Sequence, residues 1–235
     1  MKTTLTWLTI LLISQSILSQ ETQSLEKLPL DSLENIINKC NKQGNFKKGL
    51  PYYLEYSNRI KIKHGEASKK YVDVVSDIAY IYEVLGDFEK ADLYYLETLK
   101  AYKSLLGQES ELYAVHLCYY GDFLKVKGDY ASAETRLLEA LEIGKRNRKK
   151  FKSKVNFAAL YGFLGNYYST LNQYEKALPL YLENFKIYRD SIGEKNPEYG
   201  ASASNLGKTY AALGLKEKAL ELFKKAVETT EKYHG

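Results

Sequence analysis

Three histidines and two cysteines are the side chains of this sequence best suited to bind a metal or to act as nucleophiles. They are His64, His116, His234, Cys40 and Cys118. His116 and Cys118 are two residues apart, so on a helix they point in different directions, and the others are scattered along the chain. A zinc site needs three or four ligands that converge on one point. The spacing therefore predicts neither a metal site nor a catalytic triad.

The 29 Asp and Glu residues form many carboxylate pairs, which could in principle serve as general acid and base. On helices, however, such pairs are far more often solvated faces. No glycine-rich phosphate loop follows a strand, and no segment has the alternating pattern of a strand. We therefore expect a protein without catalytic residues, cofactor or metal.

The N-terminal residues have the pattern of an export signal. Lys2 precedes an apolar run over residues 5–18, which is too short to span a bilayer comfortably, and the small Ser19 follows it. We predict cleavage after residue 19, a linker over residues 20–30, and no membrane span in the mature chain. The predicted location is therefore secreted or periplasmic. The alternative is a buried or anchoring N-terminal helix.

The formal net charge is +5, which is too mild to indicate a nucleic-acid partner. The densest basic segment is "KRNRKKFKSK", residues 145–154. We predict that it is the solvated end of a helix, and a role at an anionic partner surface is the alternative. The 45% share of hydrophobic residues is that of a folded chain.

A repeat organises the rest of the sequence. The short turns "QGNF", "LGDF", "KGDY", "LNQY" and "LGLK" separate helical patterns, and their key residues recur at intervals of 42, 42, 44 and 42. Those key residues are Gly44, Gly86, Gly128, Asn172 and Gly214. Apolar residues three and four apart on both sides of each turn mark one helix face. Each unit is therefore predicted to be a helical hairpin.

Very small residues recur at fixed distances from these turns. Seven residues before the turn stand Ala79, Gly121, Gly165 and Gly207, and five residues after it stand Gly49, Ala91, Ala133, Ala177 and Ala219. Nine residues after it stand Tyr53, Tyr95, Leu137, Tyr181 and Phe223. A glycine inside a helix costs about 1 kcal/mol relative to alanine. We infer that the small residues let two helices approach closely, while a large residue of the partner helix fills the space.

The two cysteines fall on non-adjacent helices of this arrangement. Neighbouring helix axes are already about 8 to 10 Å apart, and a disulfide needs Cα atoms within about 7 Å. Cys40 and Cys118 are therefore predicted to be buried apolar residues without a disulfide.

The segments "LGNYYSTLNQYEKALPLYLENF" and "NLGKTYAALGLKEKALELFKKAV" resemble the tetratricopeptide repeat. The longer period resembles the 42-residue variant of kinesin light chains and of many exported bacterial proteins. The resemblance implies an all-α fold, a right-handed α-α superhelix (solenoid) of five stacked helical hairpins. The array would cover residues 31–235, with a degenerate first unit. The hairpins would lie at about residues 31–62, 69–105, 111–148, 154–191 and 197–233.

The resemblance also implies that the first helix of each hairpin lines a concave groove. The groove residues that follow from it are Asp73, Asp77, Tyr80, Tyr119, Asp122, Phe163, Asn166, Asn205 and Lys208. The asparagines would bond a peptide backbone, the aromatic rings would hold an apolar side chain, and the aspartates would favour a basic residue. The basic clamp of the chaperone-binding members is missing here. The implied partner is a protein or an extended peptide, and the alternative is that these residues only solvate an inner wall.

The leading hypothesis is an exported, non-catalytic scaffold. The motifs "EKALPLY" and "IGEKNPEYG" also resemble the N-terminal portion of bacterial proteins with a caspase-like CHAT peptidase domain. A substrate-recognition arm of such a peptidase is therefore a second hypothesis, and the extracytoplasmic sensing part of a membrane signalling protein is a third.

The last hairpin has an apolar face, formed by Leu220, Phe223 and Val227, that no later helix of this sequence covers. This predicts a continuation past Gly235 or end-to-end association with another copy or a partner.

Overall fold

A computed structural model describes the protein over residues 25–194 and 196–234. The predicted signal segment, residues 1–19, lies outside the described residues, and so do residues 20–24 of the predicted linker.

The described residues are helical apart from turns and short connections, and they contain no strand. A single helical turn at residues 25–27 precedes ten longer helices within the described part of the chain. These are α1 (Leu30–Lys42), α2 (Phe46–His64), α3 (Lys69–Val84), α4 (Phe88–Leu106), α5 (Glu111–Lys127), α6 (Tyr130–Arg146), α7 (Lys154–Thr170), α8 (Tyr174–Ile192), α9 (Pro197–Ala212) and α10 (Lys216–His234). The predicted all-α fold of helical hairpins is confirmed.

The chain divides into two compact units, with the boundary between Tyr94 and Tyr95 inside α4. In the first unit, α2 packs against both α1 and α3. In the second unit, α5 pairs with α6, α7 with α8, and α9 with α10. These pairs stack, because α7 also contacts α5 and α6, and α9 also contacts α8.

The five repeat turns share one backbone geometry. Their key residues have positive φ values, which are 62° at Gly44, 78° at Gly86, 89° at Gly128, 57° at Asn172 and 78° at Gly214. In each turn the next backbone N–H donates to the carbonyl five residues earlier, at 2.9 to 3.0 Å. Glycine adopts this left-handed conformation without strain, asparagine tolerates it, and the bond satisfies a carbonyl at the helix end.

The helical glycines pack against large residues of the partner helix, as the repeat predicts. A Cβ atom added at Gly121 would lie 2.8 Å from the Leu137 side chain, and one at Gly165 would lie 2.9 Å from the Tyr181 ring. Real Cβ atoms essentially never approach so closely. The absence of a side chain at these positions therefore sets the distance between the two helices of a hairpin. The third such pair is Gly207 with Phe223.

The two cysteines are free thiols, and both are buried. Cys40 lies in α1 against Gly49 of α2, where an added Cβ would be 3.1 Å from the Cys40 Cβ. Cys118 lies in α5 and is fully buried, and burial raises the pKa of its thiol well above the ordinary range. Their predicted role as buried apolar residues is confirmed.

The prediction for the basic segment is confirmed in part. Helix α6 ends at Arg146 and the basic side chains of the segment are exposed, as predicted, but residues 147–153 form a non-helical connection that is also fastened to the fold. Phe151 is 4% exposed and meets Phe157 edge-on at 5.7 Å between ring centroids. The Asn147 side chain donates to Glu109 at 2.6 Å.

Glu111 holds the end of the same connection. Its carboxylate accepts the backbone N–H of Lys152 at 2.7 Å and of Ser153 at 3.2 Å, and the side-chain amide of Asn156 at 2.7 Å. Charged hydrogen bonds of this kind are stronger than neutral ones. Glu109, before α5, and Glu111, the first residue of α5, thus hold the basic segment in place, while its lysines stay exposed.

Candidate functional site

Three of the nine predicted groove residues lie on α3 in the first unit. Asp73 is half-buried and forms an ion pair with Lys69 at 2.5 Å. Asp77 and Tyr80 are exposed, and the ring of Tyr80 meets Phe46 edge-on at 5.9 Å between centroids. Two acidic side chains and one aromatic side chain thus lie close together along α3.

Asp77 belongs to a small polar network of the first unit. The Tyr53 hydroxyl accepts a hydrogen bond from Asn41 Nδ2 at 2.6 Å and hydrogen-bonds Asp77. Although Asp77 keeps an exposed surface, protein atoms surround part of its carboxyl group; this partial burial, and after it the negative charge of Asp73, raise its pKa to about 6, although the bond from Tyr53 lowers it. Burial raises the pKa of Tyr53 to about 12. Asp77 therefore titrates much closer to neutral pH than an ordinary aspartate.

Two more predicted residues lie on α5 in the second unit. Tyr119 is 42% exposed, and its ring meets Phe163 of α7 edge-on at 5.5 Å between centroids. Asp122 is half-buried and forms an ion pair with Lys125 on the same helix. The charge of Asp122 is thus already balanced within the fold.

His116 neighbours Tyr119 but has an ordinary packing role, as expected. It is buried, its Nδ1 atom is 2.8 Å from the Leu112 carbonyl oxygen, and its ring lies 4.2 Å from that of Tyr102. Within residues 25–194 and 196–234, no three His, Cys, Asp or Glu side chains are grouped so that they could hold a metal ion. None of the described helices is long and apolar enough to cross a membrane.

The remaining four predicted residues lie on α7 and α9, and three of them line one cleft. This cleft has a volume of about 170 Å³ and is bordered by α7, α8 and α9. Phe163 and Asn166 contribute from α7, and Asn205 contributes from α9. Lys208 is exposed on α9 and is not part of the lining. We call this space the α7–α9 cleft.

The two asparagines of the cleft have amide groups available to a ligand. The Tyr181 hydroxyl donates to Asn166 Oδ1 at 2.6 Å, which leaves the Asn166 amide N–H groups as donors. Asn205 is half-buried, and its side chain has no hydrogen-bond partner among the described residues. Half-buried amides without partners are costly, because they have lost part of their hydration. A ligand with backbone carbonyl and N–H groups would satisfy them.

Four further polar residues line the cleft, and the repeat positions do not predict them. They are Asn184 and Tyr188 of α8 and Glu198 and Ser202 of α9. Asn184 is 4% exposed and donates to the Ala158 carbonyl at 2.8 Å. It stands twelve residues after its turn, where the corresponding residue of the preceding repeat is Ala140. A lone asparagine in that position is the signal that could have identified it.

The pKa of Tyr188 reflects the charge of the cleft lining. It is buried, and its pKa is raised first by burial and then by the negative charge of Glu198, while a hydrogen bond with Asn184 lowers it. The carboxylate of Glu198 therefore acts on the interior of the cleft and not only on the surrounding solvent.

The tetratricopeptide repeat family model matches residues 156–232, which contain almost all of α7 and all of α8 and α9. This segment, about a third of the chain, is therefore similar to tetratricopeptide repeats. Every residue that lines the α7–α9 cleft falls within the matched range. No curated protein sequence matches the chain significantly.

Several solved structures have a similar fold. BtubC (BKLC) from P. vanneervenii is similar with a TM-score of 0.69 and 21% identity, over 94% of this chain and 87% of that chain. The TPR-like repeats of a putative kinesin light chain from Podosopora anserina are similar with a TM-score of 0.64 and 15% identity, over 86% of this chain and 95% of that chain. A Rap protein in complex with Competence and Sporulation Factor is similar with a TM-score of 0.71 and 16% identity, over 94% of this chain and 60% of that chain. At these identities the likeness concerns the fold.

Proposed function

We propose that this chain is an exported, non-catalytic scaffold that binds an extended segment of a protein or peptide partner in the α7–α9 cleft. The observation that carries the proposal is the pair of available amides, Asn166 and Asn205, on either side of an open cleft. A peptide in extended form exposes alternating carbonyl and N–H groups that match such amides. Phe163 supplies an aromatic wall for a side chain.

The small volume of the cleft favours a peptide ligand over a small metabolite. Its volume of about 170 Å³ is below the roughly 300 to 1,000 Å³ of pockets that enclose a drug-sized molecule. A cleft of this size suits one side chain of a longer ligand, with the backbone running across its mouth. The Rap protein, which has the same fold, is described in complex with a factor, and a comparable use of the fold is proposed here.

The binding proposal is tested by selecting from a library of random 12-residue displayed peptides with the full-length chain. The selected peptides are then titrated by fluorescence polarisation against the Asn166→Ala/Asn205→Ala double variant. Two lost hydrogen bonds of about 1 kcal/mol each predict roughly 30-fold weaker binding. Gln108→Ala, which removes an exposed amide elsewhere in the second unit, should leave binding unchanged. Absence of any selected peptide, or equal binding by the double variant, would refute the proposal.

Export is a separate part of the proposal and rests on the N-terminal sequence, residues 1–19. The test is to express the full reading frame in a bacterial host and sequence the N-terminus of the protein from the extracytoplasmic fraction. The expected first residue is Gln20. Leu11→Arg, which interrupts the apolar run, should keep the protein in the cytoplasm. A wild-type chain that retains Met1 in the cytoplasm would contradict export.

A further inference from the structure

One wall of the α7–α9 cleft is formed by residues with little or no side chain. Ala159 and Gly162 of α7 face Ala201 of α9 across the opening. A Cβ added at Gly162 would lie 3.0 Å from Asn184 Nδ2. The glycine therefore lets the buried Asn184 pack directly against α7. The wall formed by Ala159, Gly162 and Ala201 is thus apolar, and polar residues lie beside it in the lining.

The lining of the cleft carries a negative charge. Glu198 is the single charged residue of the described lining, and its carboxylate has no hydrogen-bond or ion-pair partner among the described residues. The nearest cation on the same helix among the described residues is Lys208, ten residues away, or about 15 Å along α9. No lining residue opposes the charge of Glu198.

We propose that the α7–α9 cleft is a pocket for a lysine or arginine side chain of the bound peptide. This inference rests on the proposed function. The aliphatic stem would lie along Ala159, Gly162 and Ala201, next to Phe163, because long basic side chains bury their methylene groups and keep the charged head in polar surroundings. The head group would meet the Glu198 carboxylate and the Tyr188 hydroxyl.

Other side chains fit this pocket less well. An acidic side chain would place a second negative charge beside Glu198, with no cation in the lining to compensate it. A purely apolar side chain of the same length would desolvate the Glu198 carboxylate without replacing its hydrogen bonds to water. A basic side chain satisfies both the apolar wall and the Glu198 carboxylate.

The first experiment uses single-residue probes, so that it does not depend on a selected peptide. N-acetyl-lysine methylamide and its norleucine analogue, which lacks only the ammonium group, are titrated into the full-length chain. Binding is followed by the ¹³C-methyl NMR signals of Ala159 and Ala201. The lysine probe should shift both signals in a saturable way, and the norleucine probe should bind about fivefold more weakly. Equal shifts with both probes, or none, would overturn the basic pocket.

Variants then identify the group responsible. Glu198→Gln should weaken the lysine probe about fivefold and leave the norleucine probe unchanged. The matched control is Glu175→Gln, because Glu175 is also an exposed acid in the first turn of a helix but does not line the cleft. Ala201→Leu, at an exposed position on the rim, should block both probes. If the Glu198→Gln variant still bound the lysine probe more tightly than the norleucine probe, Glu198 would not be the group that recognises the ammonium charge.

The two proposals fail in different ways. Peptides that require Asn166 and Asn205, but show no preference for a basic residue and no effect of Glu198→Gln, would leave the peptide-binding function in place and refute the basic pocket. Saturable binding of the lysine probe without any selected peptide would support the pocket and refute the wider function.

Discussion

Substituting Gly165 by alanine provides a direct test of how the hairpins pack. In an open helix this change stabilises by about 1 kcal/mol, because alanine loses less backbone entropy than glycine. In this protein we expect the opposite sign. The new Cβ would lie 2.9 Å from Cε1 and 3.0 Å from Cδ1 of Tyr181.

The magnitude follows from how firmly Tyr181 is held. Its side chain is 3% exposed, and its hydroxyl donates to Asn166 at 2.6 Å, so the ring has little room to move away. Overpacking of this kind costs about 2 kcal/mol. After the gain in helix propensity, Gly165→Ala should lower the free energy of unfolding by about 1 kcal/mol.

A double-mutant cycle removes the effect of helix propensity. Tyr181→Ala alone should cost about 3 kcal/mol through the cavity that it leaves. In that background Gly165→Ala should stabilise by about 1 kcal/mol, so its sign reverses and the coupling energy is about 2 kcal/mol. Urea unfolding followed by circular dichroism at 222 nm measures all four proteins. Stabilisation by Gly165→Ala in the wild-type background, or the same effect in both backgrounds, would refute the packing argument.

Three further predictions concern other parts of the chain. Asp77→Asn should stabilise the protein by about 1 kcal/mol at pH 7.5, and solvent screening of this exposed residue keeps the gain small. Because the pKa of Asp77, about 6, lies above the ordinary 3.8, the wild-type protein gains stability as the pH falls through 6. The advantage of the variant, measured by urea unfolding, should therefore disappear near pH 3.8. Glu111→Gln should make residues 147–153 more sensitive to trypsin, whereas Glu142→Gln, which changes an exposed ion pair, should not alter the cleavage rate. Phe151→Ala should lower the free energy of unfolding by about 3 kcal/mol, measured by urea unfolding, whereas a change below 1 kcal/mol would mean that the connection is not part of the core.

The repeat could be predicted from the sequence because its signals are local. Gly121, Gly165 and Gly207 recur in register with the turns, and each packs against the large residue nine positions after the same turn. Asn172 could be aligned with four glycines because both residue types tolerate positive φ. Helix positions, turn geometry and the small-residue contacts all follow from periodic patterns.

The features that the sequence did not reveal depend on distant partners. The basic segment is held by Glu109 and Glu111, whose hydrogen-bonded partners lie 37 to 45 residues later, and nothing in the segment itself indicates that contact. In the cleft, Phe163, Asn166 and Asn205 could be named from their repeat positions. Asn184, Tyr188 and Glu198 could not, because they lie outside the positions that the family resemblance assigns to the groove.

The spacing of the glycine contacts has a consequence for how the protein reaches its native state. In each of the three pairs the glycine and its large partner are sixteen residues apart in the chain, as in Gly121 and Leu137. Closing such a short loop costs little entropy, and proteins dominated by near-neighbour contacts fold quickly. Each hairpin can therefore collapse on its own as soon as both of its helices are available, and the array can grow from any of them.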